Sequence, residues 1–225
     1  MAPGDGIDWQ GCGVNDASYV ERTRAAYDVV AVDYEALLRD ELDKSVWGRA
    51  VLGGFAELVT GPVVDVGCGP GRITGYLAGL GLEVSGIDLS PRMVAVAAER
   101  HPEIGFEVGS LFDIGREDDS LGGLVAWYSL VHTPPELLPR AFAEFHRVLR
   151  PGGRLAYAFK VGDGSKHPLT RGYGHDIDLD VYWYRTDVLA GLLVRAGFRE
   201  ALRIETAAEP HERQPQGYLV VTKED

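Results

Sequence analysis

Cysteine is scarce in this chain. Only Cys12 and Cys68 occur in 225 residues, with neither metal-ligand spacing nor the even set of a disulfide framework. Basic residues are also few, 22 Lys and Arg against 34 Asp and Glu, so the formal net charge is −12. Binding to a nucleic-acid backbone needs a lysine and arginine surface, and no nucleic-acid partner is expected. No apolar run approaches the roughly 18 residues of a membrane span, so no membrane partner is expected either. The opening residues Met1-Ala2-Pro3-Gly4-Asp5 lack the basic start and apolar core of a signal peptide, and a cytoplasmic protein is the expectation. Internal repeats and low-complexity segments are absent, and the acidic run Glu117-Asp118-Asp119 reads as a solvated loop.

Apolar residues make up 45% of the chain and charged residues 25%, the balance of a globular protein with one substantial core. Strand-like segments recur at 63–66, 83–87, 104–108, 121–128, 153–160, 199–206 and 217–222, with helical patterns between most of them. Such alternation predicts an α/β, Rossmann-like, doubly wound and mainly parallel seven-stranded sheet. The last two strands are joined without a helix, which predicts a terminal antiparallel hairpin. Residues 18–59 read as helices, so the division expected is an N-terminal tail and helical lid over 1–60 and a core over 61–225. Residues 161–185 read as a linker too long for a plain turn, and are assigned as a substrate-side insertion.

The segment Val63-Val64-Asp65-Val66-Gly67-Cys68-Gly69-Pro70-Gly71 runs an apolar strand into a glycine-dense turn, where a ligand can approach bare backbone. Cys68 reads as a small residue accepted by that crowded turn. A dinucleotide turn wants Gly-x-Gly-x-x-Gly, but its third glycine position holds Arg72 here; the pattern is Gly-x-Gly-x-Gly, with Asp65 two positions ahead. This segment resembles motif I of the class I S-adenosylmethionine-dependent methyltransferases. Asp88, 21 positions past Gly67 at the end of the second strand, suits both hydroxyls of a ribose, as it would in a nicotinamide enzyme. Ser90-Pro91 reads as an N-cap and a first-turn proline.

The resemblance implies S-adenosyl-L-methionine as cofactor, in a site drawn from Asp65, Gly67, Gly69, Gly71, Arg72, Asp88, Leu89 and Met93, then Ser110 and Leu111, then Trp127, Tyr128 and Ser129. Ser110 stands where many relatives carry an aspartate for the adenine amino group, and the aspartate often opening the fourth strand is replaced around Gly122-Gly123. Tyr27 and Tyr34, seven apart and so on one helical face, resemble an aromatic lid; they either face the cofactor and acceptor or simply dock the helix. Thr133-Pro134-Pro135-Glu136 reads as a capping box holding His132 just outside a helix start. It is distinct from the asparagine-containing Pro-Pro motif of amino-methylating nucleic-acid enzymes.

His132 and His175 are the candidate general bases, and Tyr173 and Trp183 join Tyr34 as candidate acceptor contacts; no metal is implied. The expected activity is methyl transfer to nitrogen or oxygen, less readily carbon, of a small acceptor such as a specialised metabolite, by a monomer or homodimer. The rivals are a nicotinamide-dependent oxidoreductase and a non-catalytic S-adenosylmethionine-binding module.

Overall fold

The computed structural model describes residues 16–208 and 214–224. Cys12 lies outside the described residues. Three helices precede the sheet: α1 (Asp16–Leu38), α2 (Glu41–Lys44) and α3 (Val46–Leu58). There follow β1 (Val63–Val66), α4 (Arg72–Gly79), β2 (Val84–Asp88), α5 (Pro91–Arg100), β3 (Phe106–Val108) and β4 (Leu121–Trp127). The rest is α6 (Leu138–Val148), β5 (Leu149–Lys160), β6 (Lys166–Gly172), β7 (His175–Tyr182), α7 (Thr186–Arg195), β8 (Phe198–Thr206) and β9 (Gln216–Lys223).

Seven strands form one sheet in the order β3-β2-β1-β4-β5-β9-β8. β1 to β5 pair in parallel, and β9 enters antiparallel between β5 and β8, as the helix-free connection predicts. Strand order reverses between β1 and β4, which opens a crevice beyond their carboxyl ends. Both faces of the sheet are covered, so alternate residues of one strand serve different cores. Leu155, Tyr157 and Phe159 pack with Phe142, Phe145 and Leu193 on one side. Ala156 and Ala158 lie with Leu52, Phe55 and Leu77 on the other.

Two sequence expectations are corrected. The span 161–185 is not a plain linker: β6 and β7 form a separate two-stranded sheet. Its turn is Tyr173-Gly174, with φ of 55° and 87°, the double left-handed geometry of a two-residue hairpin turn. The alternation Ile177-Asp178-Leu179-Asp180-Val181 carried the strand signal. The capping box at Thr133 does not form either. Pro134 sits at φ −55° and ψ 140°, because a residue preceding proline is pushed out of the helical region. A short 3-10 turn over Pro135–Leu137 leads into α6 instead, and the Thr133 hydroxyl meets the Tyr19 hydroxyl at 2.9 Å. The N-cap at Ser90 does form, its Oγ accepting from the Met93 amide at 3.1 Å.

Candidate functional site

The glycine turn caps β1 at the crevice. Gly67, Gly69 and Gly71 all adopt positive φ, at 69°, 54° and 82°. A side chain on Gly67 would place its Cβ 2.4 Å from Ser129 Cβ, whereas Gly69 faces open space. The turn is hydrogen-bonded to β2: the amides of Gly67 and Cys68 both donate to the Ile87 carbonyl, at 2.8 and 3.0 Å. Asp88 completes the junction, accepting from the Gly69 amide through Oδ2 and from the Ser90 amide through Oδ1, both at 2.8 Å. Burial raises the pKa of its carboxyl and the two amides pull it back down. The Cys68 thiol lies beneath this turn against Gly86, and burial pushes its pKa well up, so it remains a neutral packing group.

A cavity of about 750 Å³, its mouth included, opens above the turn. Its floor is Gly67, Gly69, Asp88 and Leu89, with Met93 from α5 alongside. One side is Ser110, Leu111 and Phe112; the other is Trp127, Tyr128 and Ser129. Helix α1 roofs it with Tyr19, Thr23, Tyr27 and Tyr34. The expected residues Tyr27, Tyr34, Gly67, Gly69, Asp88, Leu89, Met93, Ser110, Leu111, Trp127, Tyr128 and Ser129 therefore line one cavity. Tyr19, Thr23 and Arg24 precede Tyr27 on α1 by eight, four and three residues, a helical spacing that could have found them.

The remaining expected residues lie behind or beside that wall. Asp65 is buried under the turn, its Oδ2 accepting from Thr74 Oγ1 at 2.7 Å while Oδ1 has no partner. Burial pushes its carboxyl up to about 7, against the opposing bond from Thr74. The Ser129 hydroxyl across the turn is likewise buried without a partner. Gly71 starts α4 against Phe106 and His101. Arg72 stands in a neighbouring pit, donating to the Leu38 carbonyl at 3.2 Å. Tyr173, at the hairpin tip, packs its ring 4.7 Å from that of Tyr34. Trp183 stacks on His167 at 3.6 Å, away from the cavity, and His175 pairs with Asp33 at 2.7 Å on the outer surface.

His132 connects the hairpin to the roof. Its Nδ1 lies 2.7 Å from the Asp180 carbonyl, which can only accept, so Nδ1 carries the proton. Nε2 is then the acceptor for the Tyr27 hydroxyl at 2.8 Å. The ring is 7% exposed, and burial lowers its pKa to about 4 against the smaller raising effect of the Asp180 carbonyl. Helix α1 is also tied to the core through Asp28, which accepts from Ser90 Oγ at 2.6 Å, and through Glu35, which pairs with Arg100 at 2.9 Å.

Residues 63–153 match the family model described as a methyltransferase domain. An uncharacterized methyltransferase from Bacillus cytotoxicus is 30% identical over 195 residues, covering 80% of this chain and 83% of that protein. This chain is a member of the class I S-adenosylmethionine-dependent methyltransferase family. The methyltransferase is also similar to a malonyl-[acyl-carrier protein] O-methyltransferase of Pectobacterium atrosepticum, 32% identical over 49% of this chain and 43% of that protein. A Penicillium expansum O-methyltransferase is 33% identical over 61% of this chain and 51% of its own. The match thus spans about half the length of these two curated relatives. Among solved structures, the Burkholderia thailandensis 1,6-didemethyltoxoflavin-N1-methyltransferase, with S-adenosylhomocysteine bound, superposes with a TM-score of 0.72 at 21% identity, covering 97% of this chain and 98% of its own. The family match holds β1 to the start of β5, so the α1 roof and the β6–β7 hairpin of this methyltransferase lie outside it.

Proposed function

We propose that this protein transfers the methyl group of S-adenosylmethionine to a nitrogen or oxygen of a small acceptor held under α1. The observation that carries the reading is the cavity itself, where the glycine turn, the Asp88 carboxylate and an aromatic roof anchored on His132 converge. When bound, the cofactor supplies an electrophilic methyl group on a sulfonium. Asp88 has lone pairs left to accept from two ribose hydroxyls, and Ser110 and Leu111 flank the place for a base. The partnerless Ser129 hydroxyl, on the cavity wall beside Gly67, suits an ammonium group at the amino-acid end. Tyr19, Tyr27, Tyr34 and Trp127 line the remaining space with aromatic rings, a lining suited to a cation.

Holding the acceptor in line and excluding water supplies the acceleration. His132 cannot touch the acceptor directly, since its only basic nitrogen is occupied by Tyr27. With a pKa of about 4 it is also a poor proton store: taking a proton from an ammonium near 10.4 would be uphill by about 9 kcal/mol. Its role is to aim the Tyr27 hydroxyl, leaving the phenol oxygen lone pair free to accept from the acceptor's N–H or O–H. His175 and Tyr173 act at the hairpin, through Asp33 and Tyr34, to keep α1 closed.

Isothermal titration with S-adenosylhomocysteine tests the reading, with NADH as the control. Wild type should bind the homocysteine nucleoside, and Asp88→Ala should weaken it by about 10- to 100-fold through loss of charge-assisted hydrogen bonds. Binding of NADH in its place would refute it. An acceptor panel with methyl-labelled cofactor then identifies the atom methylated.

A further inference from the structure

A second pit lies on the far side of Tyr34 from Asp88. It encloses about 610 Å³, mouth included, between the lid helix and the core. Glu35 comes from α1 and Arg39 from the turn that follows it, Arg72 from the start of α4, Arg100 from the end of α5 and His101 from the residue after it. Three guanidiniums gathered in one pit are unusual in a chain of net charge −12, because like charges repel unless something offsets them. Glu35 offsets part: its buried carboxylate accepts from Arg39 at 2.8 Å and from Arg100 at 2.9 Å. Arg72 donates to the Leu38 carbonyl and has no carboxylate within ion-pair distance among the described residues. Glu35 is the only carboxylate among the residues lining the pit, against three arginines, and Arg72 otherwise feels the buried Asp65 carboxyl behind the glycine turn.

We propose that this pit binds a small oxyanion, a phosphate or carboxylate group, held by Arg72 with Arg39 and Arg100. Guanidinium forks match the planar oxygen pairs of such groups, and their geometry is wasted on a single backbone carbonyl. The site joins two bodies, since Arg39 belongs to the lid and Arg72 and Arg100 to the core. An anion bound there cross-links α1 to α4 and α5, and so holds the roof of the main cavity shut. Because Tyr34 lines both spaces, the anion is either a free ion or the acidic end of a molecule reaching past that ring from the cavity. The inference does not depend on methyl transfer.

The test uses the full chain in a phosphate-free buffer. Inorganic phosphate is titrated at ionic strength held constant with sodium chloride, following phosphorus-31 line width and the thermal midpoint. Saturable binding that raises the midpoint is expected, weakened at least tenfold in Arg72→Gln and unchanged in the distant control Arg199→Gln. Arg39→Gln, on an exposed side chain, should weaken binding similarly and decides the matter if the Arg72 variant folds poorly. A response that fails to saturate, or that is equal in wild type and both pit variants, overturns the proposal. Repeating the titration with S-adenosylhomocysteine separates the sources: competition identifies the acidic end of a cavity ligand, and unchanged or tighter nucleoside binding identifies a free ion. Arg72-dependent phosphate binding without any nucleoside binding would leave the anion site standing and remove the methyltransferase activity.

Discussion

His132→Gln isolates the buried imidazole through the pH dependence of stability. In the folded protein the ring is neutral, with its pKa lowered to about 4 by burial; unfolded, it returns to 6.5. Between those values the unfolded chain binds the extra proton, so stability rises with pH there. The contribution is complete above pH 6.5 and lost as pH falls toward 4, a span of about 3 kcal/mol. Asp65 works against it: its carboxyl is raised from 3.8 to about 7, so the folded state holds the proton and stability falls as pH rises through that window. The two contributions span about 3 and about 4 kcal/mol and oppose each other in the wild-type curve. Only the difference between wild type and His132→Gln exposes the histidine. Urea unfolding of both proteins at intervals from pH 4 to 8 should give a difference flat above pH 7 that shrinks by about 3 kcal/mol toward pH 4. The lost hydrogen bonds of the variant add a constant offset that leaves this slope untouched. A flat difference throughout, or one of opposite sign, would refute a neutral, buried His132 accepting from Tyr27.

Tyr27→Phe removes the hydroxyl and keeps the ring, so S-adenosylhomocysteine affinity should stay within about threefold while kcat falls tenfold or more in a methyl-transfer assay. Equal losses in both would place Tyr27 in cofactor binding alone. Gly67→Ala drives a Cβ into Ser129 at a left-handed φ and should cost about 3 kcal/mol or more by chemical denaturation. Gly69→Ala meets open space, so about 1 kcal/mol of backbone strain is expected, but its Cβ enters the cavity floor and should abolish nucleoside binding.

The glycine turn, the acidic end of β2, the parallel sheet and the terminal antiparallel pair were all legible in the chain. Each is encoded within a few residues: positive φ selects glycine, period-two apolar runs select strands, and a missing helix between two strands forbids a parallel crossover. The hairpin over 166–182 was read as a linker, although the period-two alternation around Leu179 carried a strand signal. The failed cap at Thr133 was a contest between two local rules, in which the steric effect of consecutive prolines overrode the capping preference.

Partnerships across the fold were not legible. Nothing in the sequence of α1 says that Tyr27 meets a histidine 105 positions away, or that the Asp180 carbonyl on β7 selects that ring's tautomer. Nor does it say that Arg39 after α1, Arg72 of α4 and Arg100 of α5 line one pit with Glu35. Backbone conformation is set by neighbours along the chain, so a sequence declares it. Desolvation, tautomer and uncompensated charge depend on which distant groups crowd the same space, and tertiary packing alone decides that.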